Sequence, residues 1–363
     1  MALIIDPWGA ELPGEYEKIV KQFGLEVFEP SQFVHPNRLM RRRIVFAGRD
    51  LKVIANCIKN KKPYYALTGI MPSGDKLHLG NKMVVEQLRY FQEHGAKTYI
   101  LIADLEAATT RGVTLEMARK RALEFHVPAY IALGLDPKKT TFYFQSENKQ
   151  VMHLAYESAK HITLNEFRAV YGDADPSRIM AAVTQVGDIL FPQLEQPMPG
   201  IIPVGIDQDP HIRLTRDVVA RTKQAHNFVP PASIYHKYTP SLQGGLKMSK
   251  SQPAGNIDLP EDPGEVAKKI QRAVTGGRKT LDEQRKLGAE VEKDMVFELL
   301  KMHLIEDDNK LDMIYQQYKT GQMLSSELKA IAIEKMAAFM DDFVKELDKA
   351  RKNIDKLNFV SFS

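Results

Sequence analysis

From residue 63 onward the chain alternates short apolar runs of strand length with stretches of helical period, and this alternation restricts the fold more than any other feature. Residues 64–68 are apolar, residues 72–75 carry a Pro-Ser-Gly-Asp turn signal, and residues 82–94 have helical spacing that stops at Gly95. A β-branched and apolar run at 98–103 precedes a long helical pattern at 115–133. Residues 141–145 are the next strand candidate, with helical spacing through Ala159. Residues 201–204 read as a further buried strand, followed by a helix over 210–221. Such a pattern predicts a doubly wound parallel sheet, in which ligands bind beyond the carboxyl ends of the strands.

After the Gly- and Lys-rich segment 243–251 and a Pro-rich stretch ending at Pro263, strand-like runs nearly vanish. Apolar residues then recur at helical spacing, as at Phe297, Leu300 and Leu304 and again at Leu311, Ile314 and Tyr315. A chain of 363 residues also exceeds the usual size of one core. The expected organisation is an N-terminal extension over 1–62, an α/β domain of Rossmann type over 63–257, and an all-helical domain over 258–363. The lone Cys57 cannot form an intramolecular disulfide, and the first residues lack a basic stretch followed by a long apolar one, so a cytoplasmic protein without membrane attachment is expected. The net charge of +4 is too mild to argue nucleic-acid binding from composition. RNA contacts would have to come from local clusters such as Arg41, Arg42, Arg43 and Arg49.

Two motifs carry recognisable chemistry. The first runs from Thr68 to Asn81 between a strand and a helix N-terminus and includes Gly69, Pro72, Ser73, His78 and Gly80. Small residues there let backbone approach a ligand, a helix start offers unpaired N–H groups to phosphate, and a histidine can donate to a phosphoryl oxygen as charge develops. The second is Gly244-Gly245-Leu246-Lys247-Met248-Ser249-Lys250-Ser251, where two lysines flank a hydroxyl in a loop that could close over a polyphosphate. No Gly-x-x-x-x-Gly-Lys-Ser/Thr is present, which weakens kinase and GTPase readings. A third constellation places Gln185 and Asp188 three residues apart on one helical face. It is followed by Val204-Gly205-Ile206-Asp207-Gln208-Asp209-Pro210-His211, a strand end that delivers amide and carboxylate groups to a cleft.

Taken together, the first two motifs resemble the signature sequences of class I aminoacyl-tRNA synthetases. The run from Ile202 to Asp217 is similar to the corresponding stretch of tryptophanyl and tyrosyl enzymes, and its Asp-Gln-Asp-Pro-His wording is closer to the tryptophanyl branch. Lys61-Lys62-Pro63-Tyr64, Asp6-Pro7-Trp8, Gly276-Gly277-Arg278-Lys279-Thr280 and the stretches 304–311 and 318–329 resemble archaeal and eukaryotic tryptophanyl-tRNA synthetases. The resemblance implies a ligase that activates L-tryptophan with ATP and Mg2+ and transfers it to tRNA(Trp), a homodimer, and a C-terminal domain that reads the anticodon. It implies His78, Lys247 and Lys250 as catalytic residues that hold the triphosphate. Gly69, Pro72, Ser73, Gly80, Asn81, Asp207, Met248 and Ser249 complete the ATP set, with Asp207 on the ribose. Leu67, Glu106, Gln185, Asp188, Val204, Gly205 and Gln208 line the tryptophan pocket, and no resident metal site is implied.

Two departures from the family pattern stand out. Asn81 occupies the place of a second signature histidine, and Leu67 and Leu101 stand where eukaryotic members carry a tyrosine and a glutamine near the indole. Bacterial tryptophanyl enzymes read the indole with an aspartate in an Ala-Ala-Asp-Ile-Leu helix, which Gly187-Asp188-Ile189-Leu190 resembles, so Asp188 is the expected acceptor. Tyrosyl enzymes place a tyrosine at the position of Leu67 to pair with the substrate phenol. A tyrosine ligase is the alternative within the class, and a catalytically idle RNA-binding paralogue the alternative outside it.

Overall fold

The computed structural model describes residues 16–172, 175–248 and 252–361. They form two compact units: one comprises the chain up to Asp75, Val84–Lys237 and Lys349–Ser363, the other Lys76–Met83 and Tyr238–Asp348.

The first unit is built on a seven-stranded sheet of β1 (Glu26–Val27), β2 (Val45–Arg49), β3 (Tyr65–Ile70), β5 (Lys97–Ile102), β6 (Thr140–Phe144), β7 (Gly200–Gly205) and β8 (Ala232–His236). Two further strands, β4 (Leu77–His78) and β9 (Asp258–Leu259), belong to the second unit. The large sheet has the order β1-β2-β8-β7-β3-β5-β6, parallel from β8 to β6 and antiparallel at β2 and β1. The chain leaves β3 to both sides, which is the doubly wound arrangement the alternation predicts. Its parallel strands are covered on both faces, so they read as nearly continuous apolar runs instead of alternating ones. The register sets Gly69 opposite Leu101 and Leu101 opposite Tyr143, a row across three strands.

Strands β1 and β2 come from the segment without a single period, and a register shift between Val45 and Ala47 interrupts β2. The end of β2 is tied down by Asp209, which is fully buried at the start of the helix Asp209–Arg221. Its carboxylate accepts Arg49 Nε at 2.9 Å and Arg49 Nη2 at 3.1 Å, accepts the Tyr235 hydroxyl, and forms an ion pair with Arg213 at 3.0 Å. One buried charge thus joins the end of β2, strand β8 and a helix N-terminus, where the helix dipole also favours it.

The helical pattern at 115–133 appears as Leu115–Arg121, a π turn over Ala122–His126 and Val127–Ala132. Pro128 has no N–H to offer the preceding turn, and the carbonyl of Glu124, four residues earlier, instead accepts from Arg351 Nε at 2.8 Å. The residues that follow run alongside β6: Phe142 N donates to Asn358 O at 3.1 Å and Val360 N to Phe142 O at 2.8 Å. The end of the chain therefore belongs with the sheet unit. The second unit is otherwise helical, with Val266, Ile270, Val296, Leu300, Ile314, Leu328, Met336 and Met340 in its core. Its buried Asp294 accepts from the backbone of Gly276, Val296 and Phe297 and from the Tyr318 hydroxyl. No helix among the described residues is long and apolar enough to cross a membrane.

The helices Lys149–Ala159 and Pro176–Leu190 pass at Gly187 so closely that a Cβ there would lie 2.5 Å from the carbonyl oxygen of Val151. Gly187→Ala must push the helices apart, and overpacking of this kind costs about 1–3 kcal/mol. A lowered midpoint in thermal or denaturant unfolding is expected; an unchanged midpoint would show that the crossing yields without cost.

Candidate active site

The first signature divides between the two units. Its turn, up to Asp75, sits in the sheet unit, where the helix of the π turn holds it. Arg121 Nη1 donates to Ser73 O at 3.1 Å and Arg121 pairs with Asp75 at 2.7 Å. His126 Nε2 lies 2.7 Å from Gly74 O, and since a carbonyl only accepts, this nitrogen carries the proton. Gly69, one strand position short of the β3 carboxyl end, is exposed, as ligand approach requires. Neither Arg121 nor His126 could be picked from sequence, because their partners lie about fifty residues earlier in the chain.

The remainder, Lys76–Met83, belongs to the second unit. Strand β4 pairs antiparallel with β9, setting His78 opposite Asp258, and Lys76 Nζ reaches Asp258 at 3.2 Å. The helix Leu79–Glu93 starts three residues earlier than the sequence pattern indicates, so Gly80 and Asn81 lie in its first turn. Asn81 Oδ1 accepts the backbone N–H of His78 at 3.1 Å, the reach-back half of a capping box. Gly80 N donates to His78 Nδ1 at 3.0 Å, so a neutral His78 carries its proton on Nε2 and is a donor there. A Cβ at Gly80 would meet the His78 ring at 2.8 Å, so glycine at this position also makes room for the imidazole.

The second signature begins in the same unit. Gly244 and Gly245 both have positive φ, at 84° and 107°, and turn the chain back so that Ser241 N donates to Gly245 O at 3.3 Å. Met248 is buried and its N–H donates to Thr239 O at 2.8 Å. Between these anchors Lys247 lies with its ammonium 4.7 Å from the centre of the Tyr238 ring. Ser249, Lys250 and Ser251, like Asp6, Pro7 and Trp8, lie outside the described residues.

All the residues expected around the amino acid fall in the sheet unit. Leu67 and Leu101 are buried in one apolar cluster with Tyr143, Val186 and Ile189, and Val204 packs against it. Asp188 is 0% exposed. The Tyr143 hydroxyl donates to its Oδ1 at 3.0 Å and Gln145 Nε2 to its Oδ2 at 2.6 Å. Burial pushes the Asp188 carboxyl up to about 7; its two donors oppose the shift, and the charges of Glu106 and Asp104 add to it. Glu106 is half-buried on the helix Asp104–Arg111, and Gln185 half-buried one helical turn before Asp188. Past β7, Asp207 and Gln208 are half-buried in the turn Ile206–Gln208, whereas Asp209 and His211 point into the fold. His211 pairs through Nδ1 with the Tyr171 hydroxyl at 2.9 Å, and burial pushes it down to about 3, a neutral imidazole at any ordinary pH.

Sequence reasoning passed over Tyr143 and Gln145. The signal available for Gln145 was its place just past a strand end. Among the described residues no group of three or more His, Cys, Asp or Glu converges as a metal site.

Residues 59–341 match the family model described as class I tRNA synthetases of the W and Y type. The tryptophan–tRNA ligase of Methanocaldococcus jannaschii is 40% identical, with 96% of each chain covered. That of Hyperthermus butylicus is 41% identical with the same coverage. The crystal structure of the tryptophanyl-tRNA synthetase from Aeropyrum pernix superposes with a TM-score of 0.89 at 38% identity, covering 98% of this chain and 99% of that one. With the match spanning both signatures, the chain belongs to the tryptophanyl and tyrosyl family of class I aminoacyl-tRNA synthetases.

Proposed function

We propose that this chain is a tryptophan–tRNA ligase that forms tryptophanyl-adenylate from tryptophan and ATP and passes the acyl group to tRNA(Trp). The observation that carries the choice of amino acid is the wall of the pocket. Leu67 and Leu101 are buried and carry no polar atom on their side chains, and one buried carboxylate, Asp188, stands beside them through Tyr143. Such a wall suits a flat apolar ring bearing a single N–H. A phenol would need a partner at Leu67, and sites built to hydrogen-bond a hydroxyl reject analogues lacking it by roughly 10⁴ to 10⁵.

In the first step a carboxylate oxygen of tryptophan attacks the α-phosphorus of Mg-ATP, the bond to the β-phosphate breaks, and pyrophosphate leaves with Mg2+. In the second the terminal ribose hydroxyl of the tRNA attacks the acyl carbon and AMP leaves. Positioning and charge stabilisation supply the catalysis. Asp188 takes the indole N–H on a lone pair that Tyr143 and Gln145 leave open. Gln185, Gln208 and Glu106 hold the α-ammonium, with Val204 and Gly205 beside it. Asp207 takes the ribose hydroxyls, and Gly69, Pro72 and Ser73 let the backbone meet the adenosine. His78 donates from Nε2 to a phosphate oxygen, and Lys247 and Lys250 neutralise the charge that develops on the leaving pyrophosphate. The helices of the second unit that follow residue 258 read the anticodon, and the protein works in the cytoplasm as a homodimer.

Amino-acid-dependent pyrophosphate exchange tests the reading. Tryptophan should support exchange; exchange with tyrosine alone would make the chain a tyrosine ligase, and none with either would make it an idle paralogue. Lys250→Ala should slow exchange by about 10² to 10³ with little change in tryptophan affinity, as for loss of one preorganised donor; a rate within threefold of wild type would remove Lys250 from the chemistry. The titration of Asp188 gives a third test. The indole N–H favours the ionised acceptor, so the KM for tryptophan should fall as pH rises through about 7, and Asp188→Asn should flatten that profile. Asp188→Ala should weaken tryptophan at least roughly tenfold while the KM for ATP holds; an unaltered KM for tryptophan would show that another group reads the ring.

A further inference from the structure

Gln145 is the first residue beyond the carboxyl end of β6 and is 1% exposed. Its carboxamide nitrogen donates to Asp188 Oδ2 at 2.6 Å. Once Asp188 is ionised it accepts and cannot donate, so in that state this bond fixes the amide with its nitrogen toward Asp188 and its oxygen turned the other way. That oxygen is buried and accepts no hydrogen bond among the described residues. Buried carbonyl oxygens of native proteins are rarely left without a donor, and the exceptions call for an explanation.

Of the nearby donors, Asn148 Nδ2 is buried without a partner and makes no bond to this oxygen, and the others are engaged elsewhere. The Tyr143 hydroxyl goes to Asp188 Oδ1, and Ser146 gives both its N–H and its hydroxyl to Asp104. Leu101, the register neighbour of Tyr143, and Leu67 have no side-chain hydrogen to donate. A ligand in the pocket can supply the donor that this oxygen lacks. The α-ammonium of an amino acid brings three donors and a charge, whereas an oxygen set beside a carboxylate and an apolar wall matches a ring with one N–H.

We propose that the Gln145 carboxamide oxygen is a second acceptor for the indole N–H, shared with Asp188, and that Gln145 is a specificity-determining residue of the amino-acid pocket. The inference rests on the reading of Asp188 as an indole acceptor. In the complex the single N–H points between two oxygens, one on Asp188 and one on Gln145. Asp188 has a double duty, since by holding the amide nitrogen it also dictates which end of Gln145 meets the substrate.

The test is the ratio of kcat/KM in pyrophosphate exchange for tryptophan against the analogue whose ring nitrogen is replaced by sulfur. Because both ligands are measured on one preparation, a partly unfolded variant leaves the ratio untouched. Wild type should prefer tryptophan, and Gln145→Met should lower that preference by about tenfold, the loss of one acceptor. Gln145→Glu keeps an oxygen at this place, and because two buried carboxylates so close cannot both ionise, the pair holds a proton that replaces the N–H bond to Asp188; it should stay within threefold of wild type. If Gln145→Met and Gln145→Glu are equally impaired, an oxygen at this place does not restore the preference and the proposal is overturned. If Gln145→Met keeps the wild-type ratio while Asp188→Ala loses it, the proposal falls and Asp188 alone reads the indole. If Asp188→Ala and Gln145→Met both keep it, the indole is read elsewhere, and the reading of the pocket fails together with the proposal.

Discussion

A carboxylate removed from water must find its hydrogen bonds within the protein, and the sheet unit is arranged around one such group, Asp188. Burying an ion costs several kcal/mol unless partners replace its hydration. The Tyr143 hydroxyl and the Gln145 amide replace part of it, and the upward shift of the carboxyl shows that the replacement is incomplete. These bonds join the helix Pro176–Leu190 to the end of β6, across more than forty residues of sequence. Gly187, next in the chain, permits the close helix crossing that sets the height of Asp188 above the sheet. One carboxylate thus ties the helix Pro176–Leu190 to the strand on which Tyr143 stands opposite Leu101.

The phosphate-binding signatures follow a different logic, in which short-range backbone bonds set the state of each side chain. Gly80 N–H on His78 Nδ1 puts the imidazole proton on Nε2, and Asn81 secures the start of the same helix through the His78 backbone. Farther back, the Pro72–Asp75 turn is fixed by Arg121, just before the π turn, and by His126, its last residue. The extra residue of a π turn rotates the side chains after it relative to those before it, so one helix can address both Ser73 and Gly74. Arg351, in the same unit, occupies a carbonyl of that same turn.

Legibility in the sequence tracked the range of the interactions responsible. Strands β3, β5, β6 and β7 announce themselves because strands covered on both faces must be apolar throughout, and only their ends shifted by a residue or two. Strands β1 and β2 were hidden because one has two residues and the other is interrupted by a register shift, leaving no run long enough to show a period. Gln185 and Asp188 were visible as a pair one helical turn apart, a local relation. Tyr143 and Gln145 were not, since nothing within a strand of aromatic residues indicates that two of its groups will meet a carboxylate on a distant helix. The return of Asn358 and Val360 to the edge of β6 was equally hidden, because a strand-like contact of so few residues has no pattern of its own.

The run from Asp207 to His211 shows why resemblance to a family is a weaker guide to individual residues than to the fold. Its five residues look like one polar motif, yet the backbone divides them. Asp207 and Gln208 sit in the turn past β7, half-exposed at the end where a parallel sheet binds ligands, while Asp209 and His211 face inward on the first turn of the next helix. Asp209 anchors Arg49, Arg213 and Tyr235, and His211 is a neutral partner of Tyr171. Removing either would unsettle the sheet, and would lower activity whether or not the residue ever meets substrate. A change of activity at these positions therefore carries little information about chemistry, whereas Asp207 and Gln208 stand in the turn at the carboxyl end of β7, where a parallel sheet meets its ligands.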